Sequence, residues 1–168
     1  MKVPAFELPL EEIRASLEPL RRPVRIAVLR SSNPFNVGAI IRTAHSFLVK
    51  EIVLVGTEPW YERAAMGMQR YENIVLMPEE RALVPWARER GLHLAAFERE
   101  RAQVDLWKAA LPEESLLVFG SENEGVPGHI LDASDEVVGI PMAGINNSFP
   151  VTVAAGIAMA EWTRRHYG

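Results

Sequence analysis

A chain of 168 residues, 48% hydrophobic and 24% charged, is long enough to bury about two thirds of its unfolded surface in one core, and a single domain over residues 1–168 is expected. It has no cysteine and four histidines, which excludes a disulfide framework, a thiol nucleophile and a cysteine zinc site, and leaves poor material for a metal centre. No segment approaches the about 20 apolar residues of a membrane span, and MKVPAFELPLEE lacks the apolar core and cleavage site of a secretory signal, so a cytoplasmic location is expected.

The net charge of −4 argues mildly against a nucleic-acid partner, because phosphate-binding domains usually carry a basic excess. Local distribution reverses that reading. From Pro19 to Lys50 there are six basic residues and no acidic one, although the chain holds 22 acids against 18 bases. Counts alone leave open whether these side chains share a face or are a solvated cluster.

In chain order, Leu10, Ile13, Leu17 and Leu20 recur at helical spacing and predict a short amphipathic helix over about 8–20, ended by Pro19 to Pro23. Val24 to Leu29 reads as a buried strand, Asn36 to Leu48 as a helix and Glu51 to Val55 as a second strand. A helix near Trp60 to Gly67, an apolar stretch at Asn73 to Met77, a helix from about Pro78 to Arg90 and a strand at Leu92 to Phe97 continue the alternation. Leu116 to Phe119 and Glu136 to Ile140 are further strands, and a last helix runs from about Ser148 to Arg165 with Pro150 in its first turn. Strands alternating with helices predict an α/β fold with a mainly parallel sheet covered on both faces.

Three segments carry candidate chemistry. Asn33 to Ala44 spans a strand-to-helix junction, where free N–H groups and the helix dipole favour anions. There Asn33 and Asn36 can cap the turn, Gly38 permits close approach and Arg42 follows one turn on. The same residues also fit a capped helix with an exposed arginine. Gly120 to Pro127 follows a strand end with two glycines, Glu122, Asn123 and Glu124. Val126 and Pro127 stand where a phosphate loop needs Lys and Ser or Thr, and no G-x-G-x-x-G occurs, so common nucleotide loops are excluded. It reads as a ligand loop at the sheet's carboxyl edge, or as a polar turn. Ile140 to Thr152 joins an apolar edge, Gly144, small polar groups and a helix start, which suits an adenine or any loop.

Taken together and in this order, N-x-G-A-x-x-R-T-A, F-G-S-E-x-E-G-V-P and I-P-M-x-G-x-x-x-S-x-x-V-x-V-A resemble the SpoU/TrmH branch of the SPOUT methyltransferases over roughly residues 24–168. That resemblance implies a deep C-terminal trefoil knot, an exception to the rule against threaded loops. It also implies transfer of a methyl group from S-adenosylmethionine to a ribose 2′-hydroxyl of tRNA or rRNA, leaving S-adenosylhomocysteine, with no metal. Gly120, Ile140 and Phe149 are then the residues that frame the cofactor, with Met142, Ser148 and Val151 beside them. By the same resemblance Arg42 is the catalytic arginine, Asn36 and Glu122 shape the catalytic pocket, and Ser148 lies between cofactor and substrate. A homodimer is implied, in which the second chain completes the pocket.

The sequence departs from the common S-L-N-V at Phe149 and Pro150. Phe for Leu keeps an apolar contact; Pro for Asn removes an amide and an N–H, for which Asn146 or Asn147 are the nearby substitutes. A guanidinium keeps its proton to above pH 12, and stripping it near neutrality costs about 7 kcal/mol, so the expected role of Arg42 is cationic grip and alignment rather than proton abstraction. Arg21, Arg22, Arg25, Arg30, Arg63 and Arg70 are the residues expected to hold RNA. Two other readings of the same motifs are a knotted RNA-binding or assembly protein without transfer activity and a base-directed RNA methyltransferase.

Overall fold

The computed structural model describes residues 7–30, 33–146 and 148–168. The apolar runs form seven strands: β1 (Arg22–Leu29), β2 (Val49–Val55), β3 (Ile74–Met77), β4 (His93–Phe97), β5 (Val104–Asp105), β6 (Ser115–Phe119) and β7 (Glu136–Gly139). They make one sheet in the order β3-β2-β1-β6-β4-β7-β5, and every adjacent pair is parallel. A parallel sheet is covered on both faces, which is why its central strands read as continuous apolar runs rather than alternating ones.

The helices are α1 (Leu10–Leu17), α2 (Pro34–Phe47), α3 (Leu83–Glu89), α4 (Gly128–Ala133) and α5 (Val151–Tyr167). Alternate residues of each strand face opposite layers. Ile26, Val28, Leu117 and Phe119 pack with Ile40, Ile41 and Ala44 of α2 and with Ala155, Ala158 and Trp162 of α5. Their neighbours Ala27, Leu116 and Val118 pack with Leu83 and Ala87 of α3 and with Ile130 and Leu131 of α4. Each fully buried aliphatic side chain contributes about 1.5–3 kcal/mol relative to exposure.

Local chemistry sets the boundaries of α2. The Asn33 side chain accepts the Phe35 N–H at 3.1 Å, Pro34 occupies the first position where its missing donor costs nothing, and Leu48 ends the helix at a φ of 51°. A left-handed leucine is strained, but its side chain is buried against Ile13 and Leu17 of α1, and that contact fixes both the turn and the docking of α1.

The topology turns on β6, which lies between β1 and β4 although both precede it in the chain. The carboxyl ends of β4, β6 and β7 therefore sit side by side. α5 crosses α2 where a Cβ on Gly156 would lie 3.8 Å from Thr43 Cγ2. Its far end ties down residues 106–112: Trp162 Nε1 donates to the Pro112 carbonyl at 3.0 Å, and Arg165 donates to the carbonyls of Leu106 and Ala109.

The expected alternation is present, with four differences. Residues 60–67 do not form an α-helix but a 3-10 turn at Glu62–Ala65, closed by Met66 at a φ of 53°. The two-residue β5 and the six-residue α4 were not expected. Pro150 is the residue before α5 rather than in its first turn, and its carbonyl accepts the N–H of Val153 and Ala154. No helix among the described residues is long and apolar enough to cross a membrane.

Candidate functional site

The carboxyl ends of β4, β6 and β7 open into a cleft of about 470 Å³, the size range of a small-molecule site. Phe97 and Phe119 end neighbouring strands, and their rings stack 4.9 Å apart as part of its lining. The loop after β6 forms one wall. Ser121 and Gly125 pair as a short antiparallel bridge, with N–H to carbonyl distances of 3.2 and 2.9 Å. This closure demands glycine at position 120, because any Cβ there would collide with the Gly125 carbonyl group. Gly125 has a φ of 66° and lies against the Glu98 carboxylate, which accepts the Val126 N–H at 3.3 Å.

The segment after β7 forms the opposite wall. Ile140, Met142, Ser148, Phe149 and Val151 all line the cleft, as do Gly120 and Glu122. The Asn146 side chain donates to the Ser148 carbonyl at 2.8 Å and so shapes the backbone ahead of Pro150. Asn147 lies outside the described residues. Apolar walls with a rim of carboxylates, hydroxyls and backbone groups suit a flat heteroaromatic ring joined to a polar chain.

Arg42 and Asn36 are not in this cleft's lining. Arg42 is exposed on α2, where it borders a separate depression of about 330 Å³ together with Ala39, Thr43, Ser46 and Ala64. Asn36 is half-buried near the start of α2, and its amide nitrogen is buried without a hydrogen-bond partner. Gly38 is explained by the fold, since a Cβ there would lie 2.6 Å from Ala64 Cβ and 2.8 Å from the Ala65 nitrogen. Its absence lets the 62–65 turn pack directly on α2.

A family model for the SpoU rRNA Methylase family matches residues 23–160. The chain belongs to that family. It is 34% identical over 137 residues to a 23S rRNA (adenosine(1067)-2′-O)-methyltransferase of Streptomyces laurentii, an alignment covering 78% of this chain and 50% of that protein. An AdoMet-bound rRNA methyltransferase from Sinorhizobium meliloti superposes with a TM-score of 0.79 at 27% identity, over 96% of this chain and 62% of that one. The fold is also that of a TrmH/SpoU tRNA modifying enzyme from A. aeolicus, with a TM-score of 0.82 at 24% identity over 93% of this chain and 81% of that one. The chain spans about half the length of several curated relatives it matches.

Within this SpoU-family frame, the six arginines expected to hold RNA have different surroundings, and burial removes Arg21 and Arg25 from the surface. Arg21, Arg22 and Arg25 lie at the amino end of β1, the opposite end of the sheet from the cleft. The Arg21 side chain is 3% exposed and pairs at 2.8 Å with Glu72, which is fully buried. Arg25 is buried between Glu51 at 2.7 Å and Glu114 at 2.8 Å. Both guanidiniums are consumed within the fold and are not available to phosphate. Arg22 lies over the Tyr167 ring at 4.4 Å. Arg30 is at the cleft end of β1 but donates to the Glu58 carbonyl at 2.8 Å. Arg63 and Arg70 are exposed.

The motifs missed Phe97, Glu98 and Arg99, which line the cleft from the end of β4. Glu98-Arg99-Glu100-Arg101 reads as a solvated charge run, and the only available signal was its position at a strand's carboxyl end.

Proposed function

We propose that this chain is an S-adenosylmethionine-dependent RNA (ribose 2′-O)-methyltransferase acting on tRNA or rRNA in the cytoplasm, as a homodimer without a metal. The observation that carries it is the convergence of two separate motifs, 119–127 and 140–152, on one cleft whose walls match an adenosyl group. Relatives that are 23S rRNA 2′-O-methyltransferases support the ribose chemistry. A deep knot is part of the reading, supported by the insertion of β6 between β1 and β4 and by the tying of α5 to residues 106–112.

Bound in the cleft, S-adenosylmethionine supplies an electrophilic methyl group. The chain's task would be to position the ribose oxygen in line with that methyl group, with the hydroxyl proton passing to phosphate or water. Ile140, Met142, Phe149 and Val151 would give apolar contact to the adenosyl group, and the closed Gly120–Gly125 turn would form the wall beside it. Ser148 and Glu122 at the rim orient the incoming ribose. Arg42, exposed, without a side-chain partner among the described residues and outside its own cleft, reaches the cleft of a second copy and grips the phosphate beside the target. Asn36 shapes that pocket from the same helix.

The test is calorimetry with S-adenosylmethionine, then methylation of RNA and digestion to nucleosides. Recovery of 2′-O-methyl nucleosides is expected, and base-methylated nucleosides or absent cofactor binding overturn the reading. Arg42→Ala lowers turnover about 100- to 1,000-fold with cofactor affinity unchanged. An Arg42→Lys enzyme with near wild-type turnover and a displaced pH profile would favour proton abstraction over cationic grip.

A further inference from the structure

We propose that Phe35 and Tyr61 form a stacking platform for an unpaired RNA base next to the segment carrying Arg42, an inference that rests on the RNA methyltransferase reading. Large aromatic rings are normally core material. Here Phe35 is 57% and Tyr61 41% exposed, with ring centroids 5.0 Å apart and planes tilted by 56°. The backbone beneath the pair is fixed. The Tyr61 N–H donates to the Pro34 carbonyl at 2.8 Å, and the following turn is locked on α2 by the Gly38–Ala64 contact. Two adjacent, exposed rings on a fixed backbone present π-faces to a base, as in proteins that bind single-stranded nucleic acid.

The charge around the pair fits RNA. Arg42 is seven residues after Phe35 on α2, two turns and about 10 Å along the same side. Arg63 is exposed in the turn that follows Tyr61. Two acids lie in the same stretch as Tyr61: the Glu58 carboxylate accepts the Thr57 N–H at 3.2 Å, and Glu62 is exposed. These acids repel phosphate from the 57–62 turn, so a base rests on the rings while the backbone runs toward Arg42 and Arg63. Because stacking tolerates any base, the platform contributes affinity and orientation and leaves sequence choice to other contacts.

The experiment is fluorescence anisotropy with a short labelled single-stranded RNA and an abasic oligomer of the same length. The proteins are the wild type, the Phe35→Ala/Tyr61→Ala double variant and the Phe35→Tyr/Tyr61→Phe double variant. Wild type is expected to bind the base-bearing RNA about tenfold or more tightly than the abasic one. The alanine variant loses that preference while its thermal melting and S-adenosylmethionine binding stay unchanged, and the aromatic swap restores it. Equal discrimination by wild type and alanine variant overturns the platform and leaves the methyltransferase reading intact. So does a change in sedimentation of the alanine variant, which assigns the surface to contact between copies. A wild type that binds neither RNA nor S-adenosylmethionine overturns both.

Discussion

The two regions richest in sequence signal, the arginines from Arg21 to Arg42 and the strand-end motifs from Phe119 to Val151, meet opposite fates in the fold. The motif residues come together on one cleft, although residues 128–139 separate the two segments. The arginines scatter. A strand rises about 3.3 Å per residue, so Arg22 and Arg30, at the two ends of β1, stand on opposite edges of the sheet. Motifs at strand ends are gathered because parallel strands deliver their carboxyl ends to one edge. A run of like charges has no such organiser, and the guanidiniums find separate partners: Glu72 for Arg21, Glu51 and Glu114 for Arg25, the Tyr167 ring for Arg22 and the Glu58 carbonyl for Arg30.

The sharpest way to break this contrast is Arg21→Ala, which leaves Glu72 buried with only His45 beside it at 2.7 Å. A loss of about 3 kcal/mol in chemical denaturation is expected, with RNA affinity of the folded protein unchanged; weakened RNA binding at unaltered stability would return Arg21 to the interface. Next is Gly120→Ala, whose Cβ meets the Gly125 backbone. A cost of about 2 kcal/mol is expected, read by calorimetry as about 30-fold weaker S-adenosylmethionine binding. The smallest effect is expected at Glu161, where the Arg164 hydrogen bond, aided by Arg165, lowers the carboxyl pKa from 4.5 to about 2 against its burial. A depressed pKa stabilises the fold above the unfolded value, and that contribution disappears as pH falls from about 4.5 through about 2. Melting temperature followed over that window is expected to drop less in Glu161→Gln than in wild type.

Much of the architecture was legible because buried parallel strands are continuous apolar runs and α2 carries its own start signals, Asn33 and Pro34. The 60–67 segment misled because its apolar spacing is helical, whereas Met66 and Gly67 both adopt left-handed backbone that stops a helix. Strand order was not legible from periodicity, since nothing local in Ser115–Phe119 states that it pairs with both β1 and β4. The arginine partners were hidden for the same reason. Arg21 and Glu72 are 51 residues apart, and Arg25 and Glu114 are 89. The cleft's motif residues were readable, but Glu98, which braces Val126, resembles any surface acid until the sheet is assembled.

The position of β6 also constrains the order of events during folding. β1 and β4 both precede β6 along the chain, yet neither may pair with the other if the native sheet is to form. The early structure must therefore hold a slot open, or reopen one that has closed, and the step that fills it joins residues about 90 apart. Long-range pairing of this kind slows folding. The ligand cleft depends on that pairing, because its lining is drawn from the carboxyl ends of β4, β6 and β7 at once.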